Sequence, residues 1–574
     1  MKARIILSIL LLSGVMSAAA AQQPAPVEKP AEKCAVAGQV VKAGTGEPLK
    51  KARVVLSKEE AREGPRVELV DANGRFQFKD VEPGRYRLYA VRNGFVRQEF
   101  GQRNPNHPGT ALALAAGQEV KDVVFKLVPA AVIAGRIYDE DGEAVPGVRV
   151  QALQYRYVQG KRQMAPMRFA TTNDRGEFRL SGLPAGRYYV SATFSPMMSL
   201  GLGFPAASQA MGNEGYAPTY YPNSNEAARA TPVEVRAGNE VGGIDFLLLP
   251  TRAVRIRGRV YNSVLGKPGR DTTVFIFPAG SGVRMFGVEN QTRVEDEQGN
   301  FEVRGVTPGS YTLVGVYWDE DNNYRARLPL EVGNADIDGV QLTIQAGADV
   351  YGSIQVEGGA ATGAERSGET GGQNEEKPKL EWSDVRILLN EYDDEWLPFG
   401  GNQARPQEDG SFRLQNISDN RYRVVVWRLP ADHCLKSARM EGNDVLEEGL
   451  AVSGPPRGQL ELVVSANGGR VEGVVLKEQK PFSGATVALV PGEKQRGRRE
   501  LYKTATTDQY GRFTLRGIPP GEYKLFAWEE IEPGAHQDPE FVKAYEKLGH
   551  EVTVEEGARL SAELKLIPPG EPPR

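Results

Sequence analysis

A glycine-x-phenylalanine, followed ten residues later by a second turn and x-tyrosine, returns five times along this chain, and nothing else in the sequence restricts the fold as tightly. The copies are Gly74/Phe76 with Gly84/Tyr86, Gly176/Phe178 with Gly186/Tyr188, and Gly299/Phe301 with Gly309/Tyr311. Gly410/Phe412 with Asn420/Tyr422 and Gly511/Phe513 with Gly521/Tyr523 complete the series. Successive phenylalanines lie 102, 123, 111 and 101 residues apart, enough chain for each copy to bury a core of its own.

Each first glycine closes a polar cluster such as Asp71-Ala-Asn73 or Asp508-Gln-Tyr510, the composition of a turn that needs a positive φ. Period-two alternation follows (Phe76, Phe78; Phe178, Leu180; Phe513, Leu515), which predicts a strand with one buried face. At the second turn Asn420 stands where the other copies have glycine. Asparagine is the best substitute in the left-handed region, so that turn is expected to be left-handed as well. The tyrosine strand is expected to run back beside the phenylalanine strand.

Upstream of each phrase an opening glycine starts another strand (Gly38, Gly135, Gly258, Gly352, Gly473), and downstream a polar-introduced strand closes the copy. About seven short strands per copy, with turns between, predict a two-sheet sandwich. The expected boundaries are 34–130, 131–250, 251–347, 348–469 and 470–568, with a linker at 22–33, a tail at 569–574 and a disordered insert at 357–379 lacking large apolar residues. Glu540 to Leu548 is the best short-helix candidate.

Lys2 and Arg4, the apolar run Ile5 to Val15 and the small residues Ser17 to Ala21 predict a signal peptide at 1–21 and an exported mature chain without a transmembrane anchor. Losing two basic residues takes the count from 70 to 68 against 74 acidic ones, which leaves no basic excess for nucleic acid. Cys34 and Cys434 could form a disulfide, and their separation leaves that open.

The opening glycine strand, Asp-x-x-Gly-x-Phe and Pro-Gly-x-Tyr together resemble the carboxypeptidase regulatory-like domain. The resemblance implies an all-β chain, a tandem array of about five transthyretin-like β-sandwich domains, within the wider starch-binding-like group. It implies a fold and not one activity. Related collagen-binding-type sandwiches lock first and last strands through a lysine-asparagine bond; here Lys42 and Lys477 face closing strands without asparagine, so none is expected.

Catalytic, cofactor and metal residues are all read as none. The four histidines (His107, His433, His536, His550) fall in no zinc-peptidase pattern, and no Gly-x-Ser-x-Gly occurs. Asp319 to Asp321 and Asp393 to Glu395 lack calcium-loop spacing. Aromatic side chains able to stack on a sugar are Tyr216, Tyr220, Tyr221 and Trp318, while Trp427 and Trp528 read as strand-end packing. The expected protein is an exported, non-enzymatic rod of sandwiches. It would be a periplasmic, extracellular or surface scaffold whose partner is an envelope or extracellular protein or a polysaccharide. A carbohydrate-binding protein and an accessory subunit of a secreted peptidase or outer-membrane transporter are the alternatives.

Overall fold

The computed structural model describes residues 32–59, 64–105, 107–194, 214–279, 290–319, 322–358, 382–392 and 402–570. The predicted signal peptide and nearly all of the predicted insert lie outside these residues. Five apolar cores follow one another along the chain, built from residues 34–127, 131–248, 254–344, 348–464 and 471–566. Each is enclosed between two sheets, so the chain is an all-β series of sandwiches.

The first sandwich shows the plan. One sheet orders Arg75–Val81, Cys34–Lys42 and Glu119–Leu127 side by side. The other orders Arg66–Leu69, Arg53–Lys58, Gly84–Val91 and Gln98–Glu99, with Leu112–Leu114 also against Gly84–Val91. The opening strand pairs antiparallel with the phenylalanine strand and parallel with the closing strand. Its glycine faces the motif phenylalanine in every copy: Gly38 and Phe76, Gly135 and Phe178, Gly258 and Phe301, Gly352 and Phe412, Gly473 and Phe513. A Cβ there would fall on a closing-strand carbonyl, that of Val123, Ile244, Val340, Leu460 or Ala562. The opening glycine is therefore a close-approach residue.

The first turn forms as its composition predicts. Gly74, Gly176, Gly299, Gly410 and Gly511 have φ of 71°, 67°, 80°, 83° and 74°. Asp71 Oδ1 accepts from the backbone N–H of Asn73 and Arg75 at 2.8 Å each, and Asp508 Oδ1 does the same for Tyr510 and Arg512 at 2.9 Å.

Two expectations about the second turn are corrected. The phenylalanine and tyrosine strands do not pair; in all five copies they belong to opposite sheets, and the turn between them crosses the sandwich. Both rings are thereby aimed into one core from its two sides. Nor does the turn residue share one left-handed backbone: Gly84, Gly186 and Gly309 keep a positive φ of 149° to 158°, which L side chains rarely adopt, whereas Asn420 and Gly521 have no positive φ. The left-handed position lies four residues earlier, at Asp80, Gly182, Gly305, Asn416 and Gly517, with φ of 55°, 77°, 72°, 55° and 60°. The pairing with the opening strand shifts register at this point, so this residue forms a bulge that turns the strand toward the other sheet. The tyrosine then fastens the crossing. Its hydroxyl donates to the carbonyl four residues back in Tyr86 (Glu82, 2.8 Å), Tyr188 (Pro184, 2.9 Å), Tyr422 (Ser418, 2.8 Å) and Tyr523 (Pro519, 2.9 Å), and Tyr311 meets Thr307 Oγ1 at 2.9 Å.

The predicted helix is Pro539–Tyr545, continued by a 3-10 turn at Glu546–Leu548. Asp538 caps it by accepting from Glu540 N–H at 2.9 Å, and Pro539 opens it. Its Phe541 and Tyr545 cover Trp528, which is 1% exposed, whereas Trp427 is 57% exposed and does not pack as expected. Both thiols are free and buried, so the possible disulfide is not formed; Cys34 Sγ donates to the Ala115 carbonyl at 3.0 Å.

The chain is not a rod. The first sandwich packs on the fifth, more than 350 residues away in sequence. Gln509 grips the Leu112–Leu114 strand at Ala113, accepting from its N–H at 3.0 Å and donating to its carbonyl at 2.7 Å. Arg85 pairs with the buried Asp508 at 3.3 Å, and Arg103 lies over the Phe482 ring at 4.0 Å. Side-chain amides satisfying a strand's backbone do the work that a neighbouring strand would do, and apolar periodicity carries no trace of them.

Candidate interaction cleft

Where the first, second and fifth sandwiches meet they enclose an open cleft of about 670 Å³. The second sandwich contributes a long hairpin, Arg149–Val158 with Lys161–Thr171, paired over ten residue positions. Its tip leans on the fifth sandwich, with the Tyr157 ring 6.0 Å from that of Phe541 and Arg162 3.6 Å from Glu532. The fifth sandwich contributes the strand Lys503–Thr506 and the loop carrying Ile531 and His536, and the first contributes Phe95 to Pro108.

The charged lining is mostly basic. Arg87 and Arg97 share Glu99, at 3.4 and 2.8 Å, and Arg87 also reaches Glu59 at 3.3 Å. Glu99 is further fixed by the Gly109 N–H at 3.0 Å. Arg156 and Arg168 line the same space without a carboxylate partner among the described residues; Arg168 donates only to the Met167 carbonyl, at 3.1 Å. Burial pushes the His536 imidazole down to about 4, so it faces the cleft neutral, with the Tyr502 ring 6.2 Å away. His107 stands 3.9 Å from Glu530.

The aromatic residues expected at a sugar site lie elsewhere. Tyr216 and Tyr221 are half-buried against the second core, edge-on to Phe194 (5.9 Å) and Phe246 (6.0 Å), and the Tyr216 hydroxyl donates to Glu140 at 3.1 Å. Tyr220 pairs with Ser191 in a sheet of that sandwich. Trp318 belongs to the third sandwich, 47% exposed and edge-on to Phe275 at 6.2 Å. The three tyrosines thus share one sandwich and Trp318 another. Of the expected acidic clusters, residues 320–321 and 393–395 lie outside the described residues. Among the described residues no group of three or more His, Cys, Asp or Glu could share a metal ion, and no helix is long and apolar enough to cross a membrane.

The cleft was not anticipated from the sequence. Its arginines carry no spacing signal, since they come from two sandwiches, Arg87 and Arg97 from the first and Arg156 and Arg168 from the second. The one hint was Lys161–Thr171, longer than any other strand of its kind and poor in large apolar residues.

Two stretches, residues 35–128 and 132–199, match the family model of the carboxypeptidase regulatory-like domain. The first match spans the first sandwich and the second match begins with the second. No curated protein matches the chain. Among solved structures, the chain is similar to the Bacillus anthracis TIE protein at 14% identity, with 55% of this chain and 51% of that chain covered and a TM-score of 0.16. The match therefore spans about half of that protein's length. The minor pilin GBS52 of Streptococcus agalactiae gives 14% identity, 38% and 97% coverage and a TM-score of 0.21. Two B repeat units of the Staphylococcus aureus collagen binding protein give 12%, 76% and 100%, with 0.14. Scores this low say nothing about function.

Proposed function

We propose that the protein is an exported, non-enzymatic scaffold and interaction protein of the cell envelope or extracellular space, which engages partners through surfaces shared between sandwiches. The observation that carries this reading is the docking of the first sandwich on the fifth. It turns a string of small domains into a body with a concave cleft of mixed apolar and charged lining, the form in which binding sites between domains usually occur. Residues 1–21 support export. The match of residues 35–128 and 132–199 to the carboxypeptidase regulatory-like model supports an accessory or structural role in the sense that the fold is used by many proteins as an appended module.

The test is affinity capture. The purified chain is offered isolated envelope material and, separately, insoluble polysaccharides, and retained proteins are identified by mass spectrometry. A defined envelope or extracellular protein retained at near-stoichiometric amounts supports the reading. Retention of neither class, or turnover in a broad hydrolase screen, overturns it. Specific recovery of a peptidase or transporter would narrow the role to an accessory subunit. Carbohydrate binding is kept as a second reading on the exposure of Trp318, and polysaccharide retention abolished by Trp318→Ala is its signature.

A further inference from the structure

Three sheets end at the cleft. Gln98–Glu99, Lys161–Thr171 and Lys503–Thr506 are each the outermost strand of their sheet, and each supplies residues to the lining. An outermost strand keeps one row of backbone N–H and C=O groups that another extended chain can pair. The three edges are not equally available. The Thr506 carbonyl already accepts from Arg85 at 3.3 Å, and Gln98–Glu99 is only two residues long. Lys161–Thr171 is eleven residues long, and Pro166, which lacks an N–H, confines fresh pairing to the Met167 end, the end that lines the cleft.

Charge then selects the occupant. Arg87 and Arg97 are answered by Glu99, and Arg162 by Glu532, whereas Arg156 and Arg168 have no carboxylate within ion-pair reach among the described residues. Arg168 stands on the edge strand and Arg156 on the strand behind it, and two guanidinium groups lining one cleft match carboxylates presented along an extended chain. We propose that the cleft receives an extended acidic peptide segment of a partner protein, which adds as a strand to the outer edge of Met167 to Thr171 and places carboxylates on Arg156 and Arg168. This rests on the interaction reading above and gives it a ligand class.

The probe is a fluorescein-labelled octapeptide of alternating Glu and Val, followed by anisotropy against the full chain. Three controls accompany it: the same peptide with Gln for Glu, one N-methylated at alternate backbone nitrogens, and unlabelled polygalacturonate as competitor. The Glu peptide is expected to bind, with affinity falling as salt rises. The Gln peptide, the N-methylated peptide and the Arg156→Gln/Arg168→Gln chain should each bind about tenfold more weakly or worse. Unchanged melting of the variant establishes that it is folded. No binding of the Glu peptide, equal binding by the arginine variant, equal binding of the N-methylated peptide, or binding of polygalacturonate in its place overturns the proposal. If the double variant still captures the same envelope protein as the parent chain, the acidic-peptide site falls while the interaction reading stands.

Discussion

Gly473 faces Phe513 across an antiparallel strand pair, and the ring edge stands 2.8 Å from where a Cβ on residue 473 would be. The carbonyl of Ala562 closes the other side of the same position. Even one methyl group must push strands apart. Gly473→Ala is expected to destabilise the fifth sandwich by about 1–3 kcal/mol, the usual range for overpacking. Gly497→Ala, in a loop with open space around it, should be close to neutral. Calorimetric melting of the two variants checks the ranking, and equal melting would contradict the close-approach role.

At the crossing between sheets, Gly305 has φ of 72° and open space around it, so a side chain there meets strain without a clash. Gly305→Ala should lower the stability of the third sandwich by about 1–2 kcal/mol. Asn420→Ala should change stability by no more than about 0.5 kcal/mol, because Asn420 is not left-handed. Urea denaturation followed by tryptophan fluorescence distinguishes them.

The hydroxyl of Tyr188 is buried on the Pro184 carbonyl, and desolvation raises its ionisation above the ordinary tyrosine range; Tyr422 and Tyr523 are raised in the same way. The folded chain therefore holds protons that the unfolded chain releases near pH 10. Stability from these groups is intact below pH 10 and falls as pH rises above it. Absorbance titration of phenolate should show this set ionising together with unfolding, after the exposed tyrosines. Tyr188→Phe should cost about 1 kcal/mol at neutral pH.

His536 has the opposite sign. Its folded form is pushed down to about 4 by burial, from an unfolded value near 6.5. Below pH 6.5 the unfolded chain takes up a proton that the folded chain refuses, so the fifth sandwich loses stability as pH falls from 6.5 toward 4. Melting temperature measured across this range should slope less steeply in His536→Asn than in the parent chain.

Closure of the array depends on side chains that hold backbone. Gln509→Ala removes both hydrogen bonds to Ala113, and Arg103→Glu adds repulsion toward Glu529, 3.5 Å from the arginine. The double variant should keep the melting behaviour of its sandwiches while its radius of gyration in small-angle scattering increases. An unchanged radius would mean that the contact between first and fifth sandwiches is not held by these residues.

The sandwich architecture was readable because its signals repeat: turn glycines, phenylalanines and tyrosines recur at one spacing. Misreading the second turn had a physical origin. Asn420 drew attention to its own position, while the residue that needed the left-handed conformation stood four places earlier. That column holds only Asp80, Gly182, Gly305, Asn416 and Gly517, the three residue types that tolerate it, but it lies inside an alternating strand pattern that hides a bulge. The cleft was beyond this kind of reading. Arg168, Glu99 and His536 are placed by the docking of sandwiches on one another, through single contacts such as Arg85 with Asp508, and such contacts have no period.

Because the opening and closing strands of a sandwich lie parallel and adjacent, a load applied to the two ends of the chain would draw them in opposite directions along their common axis. In the fifth sandwich the seven paired positions from Arg470/Arg559 to Leu476/Lys565 would have to slip together, so the resistance is that of a joint in shear and not of a zipper. The second sandwich is different. Its opening strand meets the closing segment in two separate runs of two pairs, Val132/Glu240 with Ile133/Val241 and Ile137/Phe246 with Tyr138/Leu247. Under tension it would be the link that yields first, lengthening the chain while its neighbours stay folded.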